Sequence, residues 1–263
     1  MVANGGGSKL RDQLEPRRVV RPYEWGALWW IGDRSGLPLD QETLYQVVDG
    51  TQTMMGFLPT GTWEGKERVS LFWSLRHRDR EAIGRAGLER LREAMIRLVP
   101  ECESFVSQIA AFEQLLEARY LDVVLPRWHR LPGLVFLGDS GHAMSPQLGQ
   151  GVNLGLLDAA VLAGSVGEHC RLDQALESYT RQRRSHLRFY QFATRWTTPF
   201  FQSSVHPLGW ARDVAFPLAG RLPFFRREMI RVMMGVKTGF LPGSELSPAG
   251  TLGICKSPGS EAR

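Results

Sequence analysis

The stretch LVFLGDSGHAMSPQLGQGVNLGLLDAAVLAG, Leu134 to Gly164, limits what this chain can fold into more than any other. A short apolar run ends in Gly138-Asp139, a glycine-bearing loop follows, and a helical pattern opens near Gly151. An apolar run bounded by turn residues reads as a buried parallel strand over 134–138. That strand puts the Asp139 carboxylate at the C-terminal edge of a sheet, where open α/β sheets hold their ligands. Gly149 and Gly151 let the backbone approach a planar ligand with no Cβ in the way. The helix starting at about 151–155 aims its free N–H groups and its positive dipole end at whatever lies above it.

A second chemistry competes for the same residues. Gly-Asp-Ser-Gly surrounds Ser140 as it does the serine of trypsin-like proteases, and the stretch is one residue away from a G-x-S-x-G elbow. An elbow needs a helix directly after the serine, whereas Pro146, Gly149 and Gly151 delay it here. His142 is too close in sequence to serve easily as the base for Ser140, and nothing singles out another histidine. The ligand loop is the better reading.

Bulk properties narrow the choice. The 263 residues are 43% hydrophobic and 22% charged, a globular composition long enough for two domains. The 32 basic against 27 acidic residues leave a net charge of +5, which suits an anionic ligand without demanding nucleic acid. No zinc-finger spacing, basic heptad region or aromatic-rich basic strand is present, so nucleic-acid binding is set aside. Cys102, Cys170 and Cys255 form no CxxC pair, which argues against a disulfide framework or a structural zinc and for reduced thiols in a cytoplasmic protein. No metal site is expected. No apolar run is long enough to cross a bilayer, and MVANGGGSKLRDQL lacks the apolar core of a secretory signal.

Along the chain, Ser8 caps a short helical turn. Strands are expected in RRVVRPYEWGALWWIG, in TLYQVVDGTQTMMGFLP with a tight hairpin at Asp49-Gly50, and, after a second turn in GTWEGKE, in RVSLFWSLR, giving an antiparallel sheet over 17–76. Leu88, Leu91, Met95 and Leu98 fall at helical spacing, and CESFVSQIAAFEQLLEA predicts a second helix. RYLDVVLPRW returns to strand. After the glycine loop come a helix in GLLDAAVLAGSVGE and a longer one in LDQALESYTRQRRSHLRFYQFATRW. Pro199, Pro207, Pro217 and Pro223 then cut the chain into short helices, and a Gly/Ser/Pro-rich tail begins at Pro242. The fold class is α+β.

The central stretch closely resembles the second FAD motif of the para-hydroxybenzoate hydroxylase-like flavoprotein monooxygenases. That pattern is Gly-Asp-x-x-His, a proline, Gly-x-Gly-x-Asn, and Asp-Ala in the helix. Gly138, Asp139, His142, Pro146, Gly149, Gly151, Asn153, Asp158 and Ala159 match it. The segment VANGGGSKLR resembles the family's middle motif at Gly5, Ser8 and Arg11, with Asn4 where the family has aspartate. The resemblance implies an FAD-binding oxidoreductase that uses NAD(P)H and O2 to hydroxylate an aromatic or other apolar small molecule. It further implies cofactor contacts from Gly138, Asp139, Pro146, Gly149, Gly151, Val152 and Asn153, with Asp139 on the ribityl chain. No catalytic base is singled out.

It also implies an organisation: a middle-motif segment at 1–16, a substrate-type sheet with helices at 17–130, the second FAD motif and long helix at 131–192, C-terminal helices at 193–241, and a disordered tail at 242–263. The GxGxxG unit that holds the FAD pyrophosphate is not found in the sequence. The chain therefore reads as the C-terminal portion of such an enzyme, inactive alone, its nucleotide-binding unit either truncated, lost or carried on a separate N-terminal segment. The alternative is a non-catalytic remnant acting through protein contacts.

Other residues keep two readings. Asn153 serves the flavin or simply caps its helix, and His142 contacts the flavin or is a packed histidine. Asp158 does no more than favour the helix dipole. Tyr23, Trp25, Trp29 and Trp30 pack a sheet face or line a substrate pocket. Arg181, Arg183, Arg184 and Arg188 form a solvated basic face, with a phosphate contact as the alternative. The aromatic, Met and Arg mixture at 200–235 reads as core helices capping the domain, with membrane-surface contact as the alternative.

Overall fold

A computed structural model describes residues 1–40, 42–130, 133–241 and 243–245. The tail expected from Pro242, Cys255 included, lies outside the described residues but for 243–245. The elements run α1 (Lys9–Leu14), β1 (Val19–Asp33), β2 (Tyr45–Asp49), β3 (Thr53–Trp63), β4 (Lys66–Arg76), α2 (Arg80–Ala86), α3 (Leu88–Leu98), α4 (Glu103–Val106) and β5 (Leu116–Val124). They continue with β6 (His129–Arg130), β7 (Leu134–Val135), α5 (Asp139–His142), α6 (Gly151–Glu168), α7 (Leu172–Thr197), α8 (Pro207–Arg221) and α9 (Pro223–Met233). The α+β class stands. The chain divides into two compact units, one of residues 22–120 and 198–215, the other of 1–21, 121–197 and 216–263.

The first unit is organised by a five-stranded sheet in the order β2-β3-β4-β1-β5. Its β1–β4, β2–β3 and β3–β4 pairs are antiparallel. Alternation along the strands sends Leu28, Met55, Phe57, Leu71 and Trp73 to one face, where they form a core with Leu91 and Met95 of α3 and with Phe105, Val106 and Ile109. The period-3.6 spacing seen in the sequence of α3 is therefore the spacing of its contact with the sheet.

The turn expected in GTWEGKE is a tight two-residue one joining β3 to β4, with Glu64 and Gly65 both at positive φ between the pair Trp63 and Lys66, as a type I′ hairpin requires. Two other expectations change in this unit. The hairpin at Asp49-Gly50 has a three-residue loop instead, because the segment after residue 197 grips it. Arg212 Nη1 donates to Gly50 O at 2.8 Å, and Thr51 Oγ1 donates to Ser203 O at 3.1 Å. The second helix is broken after α4. Gln114 Oε1 accepts from the backbone N–H of Ala110 at 2.7 Å and caps a new turn, a local side-chain bond that competes with helix. The remaining residues then join β5.

In the other unit the apolar core gathers Val2, Val123, Trp128, Phe136, Leu154, Val161, Leu176, Tyr179, Leu187 and Tyr190 around α6 and α7. The expected strand 134–138 is shorter, Leu134–Val135, paired antiparallel with β6 and extended by a parallel bridge from Phe136 to Val2. Pro207 and Pro223 begin helices, where a missing N–H costs nothing. Pro217 lies inside α8 and does not end it. Among the described residues no helix is long and apolar enough to cross a membrane.

The sheet leaves Gly26 no room for a side chain. A Cβ there would sit 2.3 Å from the Ala118 carbonyl oxygen, a backbone atom of the neighbouring strand. Gly26→Ala is predicted to destabilise the protein by about 1–3 kcal/mol, as overpacking does, lowering the melting temperature by roughly 2–4 °C per kcal/mol in a chain of this size. Differential scanning calorimetry checks it. An unchanged melting temperature would show that the register of β1 against β5 differs.

Candidate flavin site

Gly138 ends the β7 segment at φ +57°, ψ −143°, a conformation that only glycine adopts readily. A Cβ there would stand 3.8 Å from Gly155 Cα, so the loop lies close along α6. From this hinge the chain enters α5, a single helical turn that the sequence pattern did not disclose. Ser140 is its second residue, and its Oγ lies 2.7 Å from Val2 O and 2.8 Å from Leu137 O. Fully buried, its Oγ has only carbonyl partners among the described residues and is a structural hydroxyl. That geometry closes the nucleophile reading.

The segment of the middle motif closes over the same turn. Ser8 caps α1 by accepting from Arg11 N at 3.1 Å. Arg11 is 1% exposed and donates to Gly6 O at 2.6 Å and to Ser140 O at 3.4 Å. Val2 adds backbone bonds to Val135 O and from Leu137 N. The two motifs, far apart in sequence, form one structure.

Beneath the loop lies a buried ionic cluster. Asp158 Oδ2 accepts from Gly138 N at 2.8 Å and from His142 Nε2 at 2.5 Å, and its Oδ1 accepts from Arg183 Nε at 2.8 Å. All three side chains are at most 1% exposed. Burial alone would raise the Asp158 carboxyl. The His142 hydrogen bond, the charges of His142 and Arg183 and the Gly138 N–H outweigh it, and the pKa falls below the ordinary aspartate value. Arg183 Nη2 reaches Leu154 O at 3.1 Å, and Nη1 donates to His186 Nδ1. His186 therefore donates from Nε2, to Gly235 O at 2.8 Å. Burial and the adjacent Arg183 cation push its pKa down to about 4, so it is neutral at physiological pH.

This corrects two readings. Arg183 is not part of a solvated face, although Arg181, Arg184 and Arg188 are exposed. Asp158 does far more than complement a dipole. Both were detectable: a lone carboxylate in the apolar run GLLDAAVLA needs a partner if buried. Arg183 also shares its helical phase with the buried Leu176, Leu187 and Tyr190.

The residues expected to meet a cofactor form the rim above. Asp139, Pro146, Gly149, Gly151, Val152 and Asn153 are exposed and Gly138 is half-buried. Pro146 opens a 3-10 turn that Gly149 closes at φ +62°. The Asp139 carboxylate lies beside the start of α6, its Oδ1 3.9 Å from where a Gly151 Cβ would be. Among the described residues no side chain caps α6. Asn153 is not its cap, since its Nδ2 donates instead to Gln150 Oε1 at 3.2 Å. The first N–H groups of an 18-residue helix thus open beside a carboxylate. Ser145 Oγ, buried at the loop's entry, has no hydrogen-bond partner among the described residues. An uncapped helix terminus, an adjoining acceptor and glycine backbone fit a planar ligand with a polyhydroxyl arm and a negative edge, which is a flavin.

Of the aromatic group, Trp30 packs edge-on against Phe105 at 5.2 Å in the sheet's core. Trp25, an odd number of positions from Trp30 on β1 and so on the other face, stacks under Arg76. Among the described residues no group of histidine, cysteine and carboxylate side chains is arranged to hold a metal ion.

Comparison with known proteins agrees with this geometry. Residues 2–191 match the FAD binding domain family. The chain is 27% identical over 177 residues to the 6-methylpretetramide 4-monooxygenase of Streptomyces rimosus, covering 65% of this chain and 42% of that protein. It is 30% identical over 122 residues to the 3-demethoxyubiquinol 3-hydroxylase of Escherichia coli K12, covering 43% of this chain and 31% of the relative. The chain thus spans less than half the length of these two relatives. Among solved structures, Klebsiella pneumoniae HpxO complexed with FAD and uric acid superposes with a TM-score of 0.69 at 17% identity, over 89% of this chain and 59% of the other. That likeness is one of fold.

The cluster makes a pH prediction. The folded pKa of His186, about 4, lies below the ordinary histidine value of 6.5. Between those values the unfolded chain binds the extra proton, so stability is lost as pH falls through this window, by up to about 1.4 kcal/mol per pH unit. His129, also lowered by burial, adds in the same direction. The Asp158 contribution persists until the pH drops below the ordinary aspartate range. Thermal melts from pH 7 to 4 should show a falling melting temperature. His186→Gln, which keeps an acceptor and a donor, should flatten that fall. An identical slope in the variant would remove His186 from the account.

Proposed function

The chain belongs to the FAD binding domain family, and from that premise we propose that it forms the ribityl and isoalloxazine side of an FAD site in a monooxygenase. The reaction is hydroxylation of an aromatic or other apolar small molecule with O2 and NAD(P)H, one oxygen atom entering the substrate and the other leaving as water. The relatives' names support the reaction class, and they leave the substrate open.

One observation carries this reading: the uncapped N-terminus of α6 beside the Asp139 carboxylate. Asp139 accepts from ribityl hydroxyls. The Gly151, Val152 and Asn153 N–H groups donate to the pyrimidine edge, where the helix dipole stabilises negative charge. Pro146 and Gly149 shape the loop along the ring. Bound flavin supplies the two-electron exchange with NAD(P)H and the activation of O2. The protein's part is to fix the loop, and the Asp158 cluster does so by holding Gly138 N–H and His142 from below.

Flavin titration followed by fluorescence tests the assignment. Asp139→Ala removes a charged hydrogen-bond acceptor worth about 1.5–3 kcal/mol. It should weaken flavin binding by roughly tenfold to a hundredfold. Ser140→Ala should leave that affinity unchanged, losing only stability, because Oγ faces carbonyls within the fold. Equal affinity for wild type and Asp139→Ala would place the flavin elsewhere.

A further inference from the structure

Helix α9 carries its apolar side outward. Leu222, just before it, and Met229, Ile230 and Met233 are each between 45% and 53% exposed. At 100° per residue they share one side with Arg226. Glu228, Arg231 and Val232, on the opposite side, are the half-buried ones. The helix is held by Val232, packed against the core, and by polar atoms: Glu228 accepts from Lys237, Tyr190 OH donates to Val232 O at 2.9 Å, and Gln150 Nε2 donates to Met233 O at 2.7 Å. A surface helix of a globular protein normally buries its apolar stripe and exposes its charges. This one leaves its apolar stripe exposed, while Glu228 and Arg231 turn inward beside Val232.

Charge identifies what the stripe meets. Arg221, Arg226 and Arg227 are exposed around it and take part in no ion pair among the described residues. The carboxylates of the segment, Glu228 and Glu245, are engaged by Arg231 and Lys237. Phe225, 52% exposed, flanks the stripe. Among the described residues of the segment the face is therefore apolar and cationic, its two carboxylates already engaged. An isologous contact with a second copy would press the Arg226 side chains of both copies into one desolvated seam, which like charges oppose. At a bilayer surface the same arginines extend to phosphates while Met, Ile and Phe side chains enter the acyl boundary.

We propose that α9 with Leu222 docks on an anionic lipid surface, lying in its plane. The 11-residue helix is too short to span a bilayer. Through the Gln150–Met233 hydrogen bond, docking holds the backbone just before Gly151 close to that surface.

The test uses the full chain without flavin, so it stands or falls apart from the cofactor assignment. Co-sedimentation is measured with vesicles of phosphatidylglycerol and phosphatidylcholine, and with phosphatidylcholine alone. Wild type should bind the anionic vesicles more tightly, by roughly fivefold for each arginine brought to the surface and about a hundredfold for three. Arg221→Glu, Arg226→Glu and Arg227→Glu together should abolish that difference. Met229→Ser, Ile230→Ser and Met233→Ser together should lower partitioning into both vesicles while leaving the melting temperature unchanged, because the replaced side chains are exposed. No binding to anionic vesicles, or partitioning equal among wild type and both variants, overturns the proposal. A dimer by light scattering that only the serine variant dissociates would give the face to a second copy and equally overturn it.

Discussion

The Asp158 carboxylate is fully buried, and three segments meet on its two oxygens: the Gly138 hinge, the α5 turn through His142, and α7 through Arg183. A carboxylate in such a place is tolerable only when its partners are complete, and removing one partner of a buried pair costs about 3–5 kcal/mol. The cluster therefore specifies the loop more than it strengthens the fold. It fixes where β7 stops, how closely the loop follows α6, and which way Asp139 leaves the hinge.

What the loop presents follows from that constraint. α6 begins at Gly151 without a side-chain cap, so its terminal N–H groups remain available in a place where proteins usually satisfy them. Leaving a helix end open is costly unless something else closes it. The carboxylate beside it extends the same surface from donor to acceptor. A ligand that is planar, hydroxylated on one arm and electron-rich at one edge satisfies both at once. Arg11 and Val2 lock the other side of the α5 turn, and this is why the amino-terminal motif belongs to the site without touching the rim.

Much of this was legible in the sequence. Apolar alternation disclosed the strands of the antiparallel sheet, and the spacing of Leu88, Leu91, Met95 and Leu98 disclosed α3. The glycine-proline pattern placed the rim residues on one loop and put the helix start within 151–155, where α6 begins at Gly151. The hidden parts depend on long-range partners. Whether Asp49-Gly50 makes a tight turn was decided by Arg212, which is 162 positions away. Arg183 looked solvated within a run of arginines, and only its phase with Leu176, Leu187 and Tyr190 betrays a buried side chain. The residues of α9 read as core because they are apolar. Their polar neighbours Glu228 and Arg231 turn inward instead, and composition alone carries no information about which side of a helix finds partners.

The central claim is that the open end of α6 is where the flavin's negative edge binds. Amide chemical shifts of 15N-labelled protein, recorded while FAD is titrated in, address it directly. The account predicts that the Gly151, Val152 and Asn153 N–H resonances move first and furthest, as they gain an acceptor, with Ser140 almost still. Saturable FAD binding that leaves those three amides unmoved would contradict it.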